Sequence, residues 1–175
     1  MKKQKKRLLL KDVLGMFLLI MADQLTKYIA VVHLKDKPAI SIIPDVLELS
    51  YLENRGAAFG MLQNQKIFFV FVAVIILAVI GYVLFKMPEK KKYAALHVLL
   101  VLIASGAVGN LIDRLRLDYV VDFISFVLIH FPIFNVADIY VTVATTILVL
   151  LLLFYYKEED LNFMSFKQTK YRELK

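Results

Sequence analysis

The sequence predicts an α-helical integral membrane protein with four transmembrane helices, a small extracytoplasmic sheet and a short interfacial helix. Three observations predict it. Hydrophobic residues make up 60% of the chain and mean hydropathy is +0.68, above the roughly 45–50% apolar content of soluble domains. Four apolar runs approach the roughly 20 residues that a helix needs to cross a hydrocarbon core about 30 Å thick. Basic residues gather at the ends of these runs, as they do beside membrane spans, and no basic groove interleaved with aromatics suggests nucleic acid despite a net charge of +7.

At 175 residues the chain reads as one membrane domain over 1–157, followed by a mixed-charge cytoplasmic tail over 158–175. The N-terminal MKKQKKRLLL resembles the charged start of a signal peptide. Its apolar continuation runs past a normal signal core without a small-x-small cleavage site, so it reads as a retained first helix. That helix covers about 9–32, with Asp23 and Lys27 near its end. The second covers 67–85 without a charge. The third covers 93–112, also uncharged, with His97 near its start. The fourth covers 136–156, with Asp138 near its start.

Lysine and arginine counts orient them. Residues 1–7 hold five basic residues and no acid, and Lys86–Lys92 hold four against Glu89, whereas 33–66 balance four basic residues against four acids. Both termini and the 86–92 loop are therefore expected in the cytoplasm. Asp23, Lys27, Asp113, Asp122 and Asp138 then converge on the outer boundary. In the outer segment, Leu47, Leu49 and Tyr51 alternate with Glu48 and Ser50, the period of a half-exposed strand. Pro44–Asp45 and Asn54–Gly56 are turn signals. A sheet is expected over about 40–60. The apolar, aromatic Phe123–His130 is expected to be the short interfacial helix.

The chemistry concentrates in 110–138, which holds Asp113, Asp118, Asp122 and Asp138 between two apolar runs. Acids there are costly and point to function. Asp122 and Asp138, embedded in VVDFI and FNVAD, suit an aspartic dyad, because two carboxylates sharing one proton can both activate water and polarise a carbonyl. The competing interpretation is two separately solvated interfacial acids. Asn110 and Arg114 share a helical face, as do Asn135 and Asp138, and these groups fit either carboxylate orientation or helix–helix bonding. Asp23 and Lys27 are spaced for an ion pair, which is either structural or substrate-contacting. The histidines lack metal-ligand spacing and no metal site is expected. The absence of cysteine excludes disulfides and thiolate sites. A proton-coupled transporter or channel, with the acids as a relay, is the rival from another class, and a non-catalytic assembly subunit is a third reading.

Five stretches in order, DQLTK at 23–27, NRGAAFG at 54–60, GAVGNLIDR at 106–114, VVDFI at 120–124 and FPIFNVAD at 131–138, resemble the bacterial lipoprotein signal peptidases, the signal peptidase II family. The resemblance implies a four-helix membrane bundle with a β-cradle and a short extracytoplasmic helix. It implies Asp122 and Asp138 as catalytic residues, with Asp23, Lys27, Asn54, Gly56, Asn110, Asp113, Arg114 and Asn135 supporting them or binding substrate. The implied substrate is a prolipoprotein already carrying diacylglycerol, cut on the N-terminal side of the lipidated cysteine. The resemblance further implies no cofactor, inhibition by cyclic peptide antibiotics such as globomycin, and a bacterial cytoplasmic-membrane location with the site near the outer face. Nothing in the sequence requires more than a monomer.

Overall fold

Helix α3 (Ala94–Leu117) organises the computed structural model, which describes residues 3–57 and 61–164. It packs against α1 (Lys3–Leu34), α2 (Lys66–Lys86) and α4 (Val136–Phe154). Its buried positions include Leu96, Leu100, Ala104, Ser105, Gly106 and Gly109. Small residues at these levels let backbones approach where lipid supplies no hydrophobic drive for helix pairing. A Cβ added at Gly106 would lie 2.5 Å from the Ala137 carbonyl oxygen and 2.7 Å from Val141 Cγ2. Alanine-sized contact is therefore exceeded where α4 begins.

The other three helices turn long apolar side chains outward. Phe17 on α1, Phe71 on α2 and Leu153 on α4 are all exposed, as expected of surfaces solvated by lipid. The spans around α2, α3 and α4 are long and apolar enough to cross a membrane. Two buried clusters lie at opposite ends of the bundle. Ile80, Leu84, Met87, Tyr93, Leu96, Leu100, Ala104 and Tyr156 form one. Ala30 and Leu34 of α1 meet Val121 and Phe123 in the other, which fastens the sheet to the bundle.

That sheet has three antiparallel strands in the order β1 (Ile40–Ile43), β2 (Leu47–Asn54) and β3 (Val120–Phe126). Leu49 pairs with Ile124, Leu52 with Asp122 and Asn54 with Val120, across an irregularity between Leu49 and Leu52. Two strands lie in the expected 40–60 region, and the third does not. Phe123–Phe126, expected as part of a short interfacial helix over Phe123–His130, continue β3, and only Val127–Ile129 form one 3-10 turn. The apolar run pairs as a strand because β2 offers it a ladder and α1 covers one face. Residues 58–60, the end of the expected 40–60 sheet region and of the NRGAAFG stretch, lie outside the described residues.

Helix α3 runs past the expected end at 112 to Leu117, and Asp118 closes it in the left-handed region at φ 70°, a conformation that aspartate tolerates better than most residues. Asp113 and Arg114 are therefore helical and rigidly aimed. Glu158–Met164, the start of the expected tail, form a 3-10 helix. Phe163 packs edge-on against Tyr93, and Asp160 pairs with Lys92 at 2.6 Å.

Gly106→Ala should destabilise the chain by about 1–3 kcal/mol, the usual cost of overpacking. The midpoint of a circular-dichroism melt in detergent should fall, and an unchanged midpoint would contradict the close α3–α4 contact at Gly106.

Candidate active site

A buried ammonium holds the sheet-bearing end of the bundle together. Lys27 Nζ meets Asp23 Oδ2 at 3.0 Å, Asp113 Oδ2 at 2.9 Å and Asn110 Oδ1 at 2.9 Å. Those three acceptors match the three donors of a lysine. Each carboxylate also reaches a distant backbone amide. Ala137 N, in the first turn of α4, donates to Asp23 Oδ1 at 2.9 Å. Val121 N, beside Asp122 in β3, donates to Asp113 Oδ2 at 3.1 Å. Gln24 closes the group from α1, donating to Asp113 Oδ1 at 2.9 Å, Asp23 Oδ2 at 3.2 Å and the Gly109 carbonyl at 3.3 Å. Gly109 has no side chain where one is impossible: a Cβ would lie 2.5 Å from Asp23 Oδ2.

Asp122 and Asp138 stand in front of this group, joined through asparagines. Asn135 Nδ2 donates to Asp122 Oδ1 at 2.6 Å and to Asn110 Oδ1 at 3.2 Å. Its Oδ1 accepts from Asp138 N at 3.0 Å, while its own N donates to Asp138 Oδ2 at 3.1 Å. Those last two bonds form a capping box on α4. Asn110 Nδ2 donates to Asp138 Oδ1 at 2.8 Å, and Asn54 Nδ2 to Asp122 Oδ2 at 2.8 Å. Every oxygen of the two acids thus accepts one N–H. Burial, followed by the neighbouring Asp138 charge, pushes Asp122 up from 3.8 to about 7.

A cavity of about 520 Å³ opens onto the pair. Its polar floor is Asn54, Asn110, Arg114, Asp122 and Asp138. Phe126, Phe131, Pro132, Ile133 and Phe134 wall one side, and Ile139, Thr142 and Val143 of α4 wall another. Ile129, Phe131, Ile139 and Val143 on its rim are exposed. Arg114 lies over the Phe69 ring, 4.6 Å from its centroid, and donates to the Gly56 carbonyl at 3.1 Å. Asn54 Oδ1 accepts from Gly56 N at 2.9 Å. This fixes the amide so that Nδ2 faces Asp122.

The ten residues singled out from the sequence fall into two layers. Asn54, Gly56, Asn110, Arg114, Asp122 and Asp138 line the cavity. Asp23, Lys27, Asp113 and Asn135 lie behind it, buried. The Asp23–Lys27 pair is thus structural in its contacts, and Asp118 pairs at the surface with Lys66 at 2.6 Å. Gln24 and the α4 wall residues Ile139, Thr142 and Val143 escaped sequence reading. Gln24 sat inside the DQLTK stretch, between the two charges it helps to join. No group of three or more metal-capable side chains occurs among the described residues.

The model of the family described as signal peptidase (SPase) II matches residues 15–154. The lipoprotein signal peptidase of Caldanaerobacter subterraneus subsp. tengcongensis is 46% identical over 130 residues, 74% of this chain and 86% of that protein. That of Streptococcus pyogenes serotype M5 is 44% identical over 156 residues, 89% of this chain and 97% of that protein. A bacterial membrane enzyme solved by the in meso method at 2.3 Å resolution is 31% identical, with a TM-score of 0.73 over 91% of this chain and 94% of the other.

Asn135→Ala should lose the α4 cap and lower stability by about 0.5–2 kcal/mol. Asn135→Ser, which can still cap, should melt between wild type and Asn135→Ala. Equal melting of all three would remove the capping role.

Proposed function

The chain belongs to the signal peptidase II family and is a membrane aspartic peptidase, and from that premise we propose that Asp122 and Asp138 are its catalytic dyad. The single observation that carries the assignment is the convergence of both carboxylates on the floor of the cavity, held by Asn135 between them. The cavity also fits the substrate class. Its polar floor can take an extended peptide, and its exposed apolar rim is continuous with the lipid-facing side of α4. The proposed substrate is a diacylglyceryl-modified prolipoprotein that enters sideways from the bilayer with its acyl chains left among lipid. Cleavage falls on the N-terminal side of the lipidated cysteine. Cyclic peptides such as globomycin would compete for the same floor.

Charge distribution supports four crossings, with the first made by α1. It also supports cytoplasmic termini, a site near the outer face and a cytoplasmic tail beyond 157. One membrane domain over 1–157 contains the complete site, and a single chain supplies every group named. The transporter reading is displaced by family membership.

In the mechanism, Asp122 holds the shared proton and Asp138 is the anion. Asp138 lies in the first turn of α4, where the helix dipole favours negative charge. Water attacks the scissile carbonyl as Asp138 takes one of its protons and Asp122 gives its own to the carbonyl oxygen. The resulting gem-diol collapses when Asp138 returns its proton to the leaving nitrogen and Asp122 recovers one from a hydroxyl. The C–N bond breaks, and both acids end as they began. Acid–base transfer of this kind contributes on the order of 10²–10⁴-fold.

Asp122→Asn and Asp138→Asn should each leave a folded protein that cleaves at least about 100-fold more slowly, read by mass spectrometry of a diacylated substrate. Full activity in either would sink the dyad. Because Asp122 releases its proton near pH 7 rather than at 3.8, cleavage should fall as pH rises through about 7. The sign for stability is the same: the folded chain binds this proton more tightly than the unfolded one, so its contribution is full below 3.8 and lost by about 7. In Asp138→Asn the neighbouring charge is gone, and carboxyl resonances of Asp122 should titrate below pH 7.

A further inference from the structure

Lys27 performs no step of this mechanism, yet it is one amide away from Asp138. Its Nζ donates to Asn110 Oδ1 at 2.9 Å, and the other end of that amide donates to Asp138 Oδ1 at 2.8 Å. Asn135 Nδ2 extends the line, spanning Asn110 Oδ1 at 3.2 Å and Asp122 Oδ1 at 2.6 Å. We propose that Lys27 is a positioning residue that sets the pH window of the dyad, its charge reaching both carboxylates through Asn110 and Asn135 and opposed by Asp113 and Asp23.

Three physical points carry this. First, a cation on an amide oxygen draws electron density from the amide and makes its N–H groups stronger donors, the cooperative strengthening expected of hydrogen-bond chains. Asn110 therefore holds an ionised Asp138 better than it would without Lys27. Second, Lys27, Asp23 and Asp113 are nearly inaccessible to solvent, so salt and water do little to screen their fields. Third, the Lys27 charge favours the ionised form of Asp122 across the cluster. The groups facing Lys27 and the dyad can be named by element. They are Asp23 and the neutral Gln24 on α1, Asp113 and Arg114 on α3, Asp122 on β3, and Asp138 and Tyr140 on α4. Arg114 is a second cation, but it lies on the cavity floor against Phe69 and Gly56, open to whatever fills the cavity. Lys27 is sealed behind the asparagines, so its effect is present with or without substrate.

A residue that only staples the helices and one that tunes the acids differ in sign behaviour. Lys27→Gln removes a positive charge and should move both limbs of the kcat/KM–pH profile to higher pH. Asp113→Asn removes a negative charge, while its remaining oxygen can still accept from Val121 N, and should move them to lower pH. The double variant should lie between. Each single shift should be on the order of one pH unit, as expected for a buried charge acting at this range. The measurement uses the full chain reconstituted in bilayers with a diacylated substrate. Lower kcat with wild-type limbs in both single variants would overturn the proposal. Should Lys27→Gln not fold, Asp113→Asn and the charge-conserving Lys27→Arg decide. The first must shift and the second must not. The inference rests on the dyad assignment, and the two fail separately: an active Asp122→Asn sinks the dyad, whereas an inactive one with unmoved limbs elsewhere sinks only the tuning role.

Discussion

The ammonium of Lys27, shared between Asp23, Asp113 and Asn110, is the contact on which the rest of the sheet-bearing end depends. Taking charges out of water costs several kcal/mol per ion, and only good geometry with every remaining site bonded offsets that cost. Here the geometry is complete. The ammonium has three acceptors, and both carboxylates accept on both oxygens. Two of those acceptances do structural work at a distance. Asp23 satisfies an orphan amide at the start of α4, and Asp113 satisfies a backbone amide in β3. The elements that carry Asp138 and Asp122 are thereby tied to α1 and α3 through one cation.

Such a staple matters more in a bilayer than in water. Lipid is as apolar as leucine, so burial alone does not tell a helix which face to turn inward. The exposed apolar surfaces of α1, α2 and α4 leave rotation and sliding poorly specified. The polar group specifies them. It works only because Gly106 and Gly109 leave room, the first for the α4 backbone and the second for the Asp23 carboxylate. Packing and electrostatics are one constraint at this level, since a bulkier α3 would push α4 away and leave Asp23 without its amide.

Much of this was legible in the sequence, for physical reasons. Hydropathy windows mark α2, α3 and α4 because a span of fixed thickness needs a run of fixed length. The polar residues stood out because each is costly in an apolar setting. Their division into a cavity floor and a buried clamp was not legible, because i,i+4 spacing says that Asp23 meets Lys27 but not that both lie behind Asn110. Strand β3 was missed because VVDFISF carries no period that separates strand from buried helix, and its partner β2 lies far back in the chain. Gln24 was missed because a neighbour at i+1 does not ordinarily share a face with Asp23. Its amide nevertheless reaches round to both Asp23 and Asp113. The packing of Phe163 on Tyr93 depends on where α4 ends relative to α3, which composition does not encode.

The approach of the two acids is settled more locally than the bundle suggests. After β3 the chain turns outward through Val127–Ile129 and then comes back. Phe134 N donates to the Ile124 carbonyl at 3.0 Å, and the amides of Phe123 and Ile124 donate to the Phe134 carbonyl at 3.0 and 2.8 Å. This return sets Phe134 beside Ile124, so the next residue, Asn135, emerges next to Asp122 and bonds to it. Asn135 is also the cap of α4, and a capping box fixes the residue three places on, which is Asp138. Two acids on different elements are therefore brought together by a closed backbone loop and one asparagine. The aromatic residues between them, Phe126 through Phe134, bulge outward as the cavity wall. The closing hydrogen bonds are backbone, and the Phe134 ring adds to them by packing on Phe126 and Phe131 across the loop. The loop closure and the Asn135 cap together fix the spacing of the acids, with the Lys27 clamp directly behind them.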